Sequence, residues 1–221
     1  MTRDLMLIRA PHRPRPVVPI VGGAGSGTEG PAGSEAGADM PGLVLARVHE
    51  FCGPARRTLA LMLARALPGT VVWIRPAWSP DRLNPDGVRG LIDPARLLNV
   101  TPKRPEDLLW SMEEVLRSGQ VALAVAELPE PPGLTPVRRL QLACETGAAE
   151  GAQRPLGVLL LPGAGGAPGV ESRWHLAPRH SIAATRWRLE RHRARMAPPR
   201  TWEVERRGRR LVLRDTATAP A

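Results

Sequence analysis

Lysine is almost missing from this chain: of its 31 cationic side chains one, Lys103, is a lysine and the rest are arginines. A phosphate-cradling loop of the G-x-x-x-x-G-K-[ST] kind needs its lysine at the mouth of a helix that follows a strand, where it meets the β and γ phosphates. The stretch where such a loop would fall reads HEFCGPARRTLALML, residues 49 to 63, and holds neither a lysine nor a second glycine. Lys103 lies far downstream, ahead of a different helix, and cannot serve it. Cysteine is scarce too. Cys52 and Cys144 stand far apart with no C-x-x-C or histidine spacing, which excludes a zinc-ribbon framework and reads as two reduced, partly buried thiols. His49, His175, His180 and His192 show no ligand spacing with cysteines or carboxylates, and no serine sits in a Gly-x-Ser-x-Gly turn, so nothing points to metal-dependent or nucleophilic hydrolysis. Neither a cofactor nor a metal is expected. The start, MTRDLMLIRAPHRPRP, lacks the apolar run of a signal peptide, and no stretch approaches the ~20 apolar residues of a membrane span. The expectation is a cytoplasmic protein without membrane contact.

Hydrophobic residues make up 43% of the 221, enough for one domain with a real core. The net charge of +10 is unevenly placed: from Glu171 onward thirteen arginines face five acids, so eight of the ten excess charges fall in the last quarter. That skew is compatible with a phosphate-bearing or acidic partner, and equally with solvated strand faces in an arginine-rich chain.

Residues 1 to 42 are rich in proline, glycine and alanine and bury too little to offset ordering entropy, so they read as a disordered leader; GGAGSG at 22 to 27 is a linker with no strand and helix to bracket it. From Leu43 the pattern changes. LVLARVHEF predicts a strand, PARRTLALMLARAL a deeply buried helix, TVVWIRP a buried strand and RLLNVTP a third. Residues 105 to 118 form the clearest helix, with Pro105 at its start and Gly119 past its end. Leu108, Leu109, Met112, Val115 and Leu116 make its core stripe, and Trp110 lies opposite among Glu106, Asp107, Glu113 and Glu114. VALAVAEL is a further buried strand, followed by a helix over residues 136 to 147 and the strand LGVLLLP. TRWRLERHR alternates as a half-exposed strand does, and WEVERRGRRLVLRD predicts a hairpin turning around Arg207 and Gly208. The fold class is therefore α/β, a mostly parallel sheet covered by helices with an antiparallel C-terminal strand extension.

This order of elements resembles the core of RecA, and HEFCGPARRTLAL resembles the RecA phosphate-loop segment with its glycine-lysine portion shortened away. RPAWSPDRLNPDG, DPARLLNVTPKRPEDLLWSMEEVLRSG and TRWRLERHR followed by WEVE resemble, more closely, the ImuA family, RecA-like accessory proteins of bacterial mutagenesis cassettes. The resemblance implies a RecA-like domain over residues 43 to 214 with a degenerate nucleotide site, then a flexible tail over 215 to 221. It implies a role in translesion synthesis beside an ImuB-type polymerase homologue, an error-prone C-family DNA polymerase and RecA. Carried over residue by residue, the degenerate site comprises Gly53, Arg56, Arg57, Thr58, Glu106 and Glu127. Glu106 stands where RecA has its water-activating glutamate, or is simply a favourable first-turn acid. Glu127 stands at the metal-site carboxylate, and Pro162 replaces a polar nucleotide sensor.

Three functions follow as expectations. One is a non-catalytic adaptor, with Trp110 as an interface anchor or as a locally packed residue. Another is a DNA-stimulated ATPase. The third is a direct DNA-binding module using Arg186, Arg188, Arg206, Arg207, Arg209 and Arg210 on the terminal strands. A cell-division inhibitor of the SulA kind is related to the first.

Overall fold

The computed structural model describes residues 16–21 and 40–215. Its centre is a nine-stranded sheet with a two-stranded ribbon beside it. In chain order the elements are β1 (Val17–Pro19), β2 (Gly42–Val44), β3 (Val48–Cys52), α1 (Arg56–Ala66), β4 (Val71–Ile74), α2 (Pro85–Arg89), β5 (Leu97–Val100), α3 (Pro105–Ser118), β6 (Leu123–Glu127), α4 (Leu134–Glu150) and β7 (Leu156–Leu160). Four strands complete it: β8 (Ser172–Pro178), β9 (Thr185–Ala194), β10 (Arg200–Arg207) and β11 (Arg210–Asp215). The sheet runs β11-β10-β9-β8-β3-β7-β6-β4-β5. From β8 to β5 every pairing is parallel, and from β8 to β11 every pairing is antiparallel. The α/β class with an antiparallel extension is thus what the chain forms.

Two apolar layers hold the sheet. On one face α1, whose residues Leu59 through Ala64 are all buried, packs with β1, β2 and the α2 segment. A helix buried on all sides needs this continuous apolar run rather than a stripe. On the other face α3 and α4 close over Val72, Ile74, Ala124, Ala126 and Leu159. Leu108, Met112 and Leu116 of α3 point inward as the spacing predicts, with Leu109 and Val115 packed at the margin. The proline at the start of α3 fits because its missing N–H has no intrahelical partner in any case, and Gly119 ends the helix in the left-handed conformation at φ 60°. A side chain there would meet the Gly147 carbonyl oxygen at 2.2 Å, so glycines on both helices set how closely α3 and α4 approach.

Several expectations need correction. LVLARVHEF is two strands: the chain breaks at Ala46, whose φ of 57° no strand tolerates, and β2 pairs with β1 while β3 enters the main sheet. Within the leader, Val17–Pro19 is a strand antiparallel to β2, and Ile20 is fully buried against the α1 layer; VVPIV supplies enough apolar surface to dock locally. Residues 1–15 and 22–39 of the leader, including GGAGSG, and the tail beyond Asp215 lie outside the described residues. The fourth helix is longer than expected at both ends. β8 is a strand that the mixed text SRWHLAP did not announce.

Cys52 and Cys144 are buried free thiols. Burial pushes each up to about 12, so neither is a thiolate near neutrality. No helix among the described residues is long and apolar enough to cross a membrane.

Candidate functional site

The carboxyl ends of β3 and β6 bring together five of the six carried-over positions. Gly53 follows β3 in the left-handed region, φ 86°, and passes so close to β8 that a Cβ would lie 2.6 Å from the His175 ring and 2.7 Å from the Leu176 carbonyl oxygen. Only glycine fits that approach without strain. In a phosphate-binding loop the amides at this turn point at the ligand. Here they are spent within the protein: Gly53 N donates to Gly163 O (3.0 Å), Ala55 N to Leu176 O (3.0 Å) and Arg56 N back to Gly53 O (3.3 Å), while Pro54 has none to give. The Arg56 guanidinium also turns back to Gly53 O at 3.3 Å.

Arg57 does the same at the carboxylate. Its Nε donates to both oxygens of Glu127 at 3.1 Å and its terminal nitrogen to Oε2 at 2.5 Å, while fully buried Trp73 donates its indole N–H to Oε1 at 2.7 Å. A fork-to-fork guanidinium and an indole therefore cover the face of Glu127 that a metal ion would need. Asp81 adds a longer contact to Arg57 at 3.8 Å. Thr58 is half-buried beside this pair, on the wall of a cleft of about 280 Å³ that Leu83, Val88, Trp187 and Arg206 also line. Glu106 does not join them. It is exposed in the first turn of α3 and has no ion-pair partner among the described residues.

Two buried polar devices in β3 carried no signal in the sequence. Glu50, fully buried, accepts from Gly166 N (2.7 Å), Ala167 N (3.0 Å) and Arg173 Nε (2.9 Å), and so fastens the loop after β7 under the turn. His49 accepts at Nδ1 from the Ser172 hydroxyl (2.7 Å), which in turn accepts from Trp174 Nε1 (2.7 Å), while Nε2 donates to Val44 O (3.0 Å). Loss of water around the ring pulls its pKa down to about 4, so this relay holds a neutral imidazole. A charged residue amid apolar strand text is the only clue such groups leave in a sequence.

The terminal strands do not form the single basic surface anticipated. Trp187, Leu189, Trp202 and Val204 face the α1 layer and are core, and Arg206 points the same way, donating to Gly90 O at 3.2 Å. Arg209 lines a cleft with Arg89 and Ile92, and Arg210 is exposed at the hairpin. On the opposite, open face Arg186 meets Glu205 (3.3 Å), Arg207 meets Glu205 (2.7 Å) and Arg188 meets Glu190 (2.9 Å). The hydrogen bond from Arg207 holds the Glu205 carboxyl below its ordinary range. These three arginines are therefore paired locally with Glu190 and Glu205, Arg186 across the β9–β10 register and the other two along their own strands. Arg191 is buried instead, its guanidinium over the stacked rings of Trp174 and Trp202 at 5.7 and 5.2 Å.

Trp110 is exposed on α3, with 59% of its surface accessible, and Leu98 of the edge strand β5 is similarly open at 55%. The acidic surroundings expected for Trp110 hold only in part, because Glu113 turns into the α3–α4 seam and pairs with Arg117 and with Arg139 (2.8 Å).

No protein-family model matches the chain. It is similar to Protein ImuA of Caulobacter vibrioides, in strain NA1000 and in strain ATCC 19089 alike, at 35% identity over 72% of this chain and 71% of the relative. At that identity and coverage, the chain belongs to the ImuA family.

Proposed function

We propose that this chain is a non-catalytic, RecA-like accessory protein of DNA-damage-induced mutagenesis, working in the cytoplasm as an adaptor in translesion synthesis. Family membership supports the mutagenesis setting. The element order, a parallel sheet followed by antiparallel strands, supports descent from a RecA-type core. The observation that carries the non-catalytic reading is the closed circuit at the turn after β3: the loop amides bond to protein carbonyls, and Arg57 sits on Glu127 where a cation would have to go. A nucleotide would need those amides and that carboxylate released together.

An adaptor must instead offer surface. Trp110 on α3 and Leu98 on the open edge of β5 are apolar side chains presented to solvent, and a large aromatic of this kind is the usual centre of a protein interface. The partners that fit the family are an ImuB-type polymerase homologue, an error-prone C-family polymerase and RecA. Direct DNA binding is the weaker reading, since the arginines of the open face are already answered by glutamates. Co-purification of the intact chain with each partner tests the proposal, using Trp110→Ala and, separately, Arg186→Glu with Arg188→Glu. Removing β9 to β11 altogether would be a poor probe, because those strands contribute Trp187, Leu189, Trp202 and Val204 to the core. Loss of one partner with Trp110→Ala supports the adaptor reading; retention of none by the unaltered chain contradicts it.

A further inference from the structure

We propose a transition-metal site on the open face of the antiparallel extension, built by His175 of β8 with Glu190 and His192 of β9. The register sets His175 directly opposite Glu190. The pairing then slips: Trp174 faces Arg191 and Arg173 faces Arg193, which leaves His192 as the extra residue of a β-bulge. Bulges commonly re-aim a side chain at a functional position. Here the result is that one ligand atom from each of the three residues lies within 4.8 Å of the other two.

The distances approach those of coordination. His175 Nδ1 is 3.1 Å from Glu190 Oε2, and His192 Nε2 is 3.6 Å from the same oxygen. In a tetrahedral site with bonds of about 2.0 to 2.1 Å the ligand atoms stand roughly 3.3 Å apart. Two edges of the triangle are therefore near their final length, and the third closes by a small rotation of exposed His192. The rings of His175 and His192 already stack at 5.2 Å between centroids.

Two further features favour an ion over a simple histidine–glutamate contact. His175 Nδ1 is buried yet has no hydrogen-bond partner, despite its closeness to the carboxylate, so no hydrogen bond has to be given up for it to turn to a Lewis acid. Arg188 holds the other oxygen of Glu190 at 2.9 Å, leaving Oε2 turned to both rings, which is how an outer residue orients a ligand carboxylate. Two imidazoles and a carboxylate suit zinc and neighbouring divalent ions. The thiol of nearby Cys52 is taken up by Trp174 O, to which it donates, and is not counted among the three ligands. The bound ion would staple β8 to β9 where the sheet changes from parallel to antiparallel, with the His175 ring packed against Gly53. It would lock the turn from behind.

Titration of the metal-free full chain with zinc chloride, by calorimetry at neutral pH, tests this. One zinc per chain is expected, with a rise in melting temperature on loading, and cobalt should give the visible bands of a tetrahedral nitrogen-oxygen site. His192→Ala, at an exposed bulge, should weaken binding at least tenfold and remove the thermal shift, and Glu190→Gln should do the same. His180→Ala should change neither, since that ring is taken up with the Arg186 amide and Trp187. Absence of zinc uptake, or uptake indifferent to His192→Ala, would overturn the proposal.

Discussion

The turn after β3 and the open face of β9 to β11 both crowd arginines against glutamates, and they do so under opposite conditions. At the turn the Arg57–Glu127 pair is mostly withdrawn from water and tied to a fully buried indole. On the open face Arg186 and Glu203 are each about one-third exposed and 3.7 Å apart. A buried, fully bonded pair is fragile to loss of one partner, because the other charge is left without compensation. A solvated pair is close to neutral for stability. The same residue types therefore tie a buried turn together in one region and merely cover a surface in the other.

Removing one side of each pair breaks that comparison most sharply. Glu127→Ala strands both Arg57 and the Trp73 N–H and should cost about 3 to 5 kcal/mol in urea unfolding. Glu203→Ala on the open face should cost less than about 1 kcal/mol. Equal losses would contradict the contrast.

Acid probes the other buried device beside the turn. The unfolded chain takes up the His49 proton near its ordinary pKa of 6.5, the folded chain near 4. Between those values the unfolded state binds more protons, so stability is full above pH 6.5 and falls by about 3 kcal/mol as pH drops to 4. Urea midpoints measured across that window should show the decline, and His49→Gln should flatten it. Gly53→Ala should follow with a loss of about 1 to 3 kcal/mol, from positive φ and the collision with His175 and Leu176 together. The smallest effect belongs to the open face, where Arg186→Ala should move the thermal midpoint little and lose what effect it has in high salt.

How much of this was legible in the sequence depended on the range of the physics involved. The apolar runs of β4, β6 and β7, the α3 stripe and the hairpin at Gly208 are written in neighbouring residues, and so could be read. The absence of a lysine and a second glycine from residues 49 to 63 is legible in the sequence itself. The Arg57–Glu127 pair beside the turn after β3 could not be read, since its partners meet only when β3 and β6 lie on either side of β7. β8 escaped because Ser172, Arg173 and His175 interrupt its apolar text for reasons supplied by Glu50, His49 and Glu190. Along the chain the histidines have no ligand spacing. The bulge at His192 creates the spacing across two strands. Likewise the arginine excess near the C-terminus was visible, but its division between two faces depends on where each strand sits in the sheet.

The closed circuit at Gly53, Arg57 and Glu127 is best tested by calorimetric titration of ATP with magnesium into the purified full chain. The account predicts no saturable heat at micromolar to millimolar nucleotide and no phosphate release. Stoichiometric binding at micromolar affinity, weakened by Thr58→Ala, would contradict it.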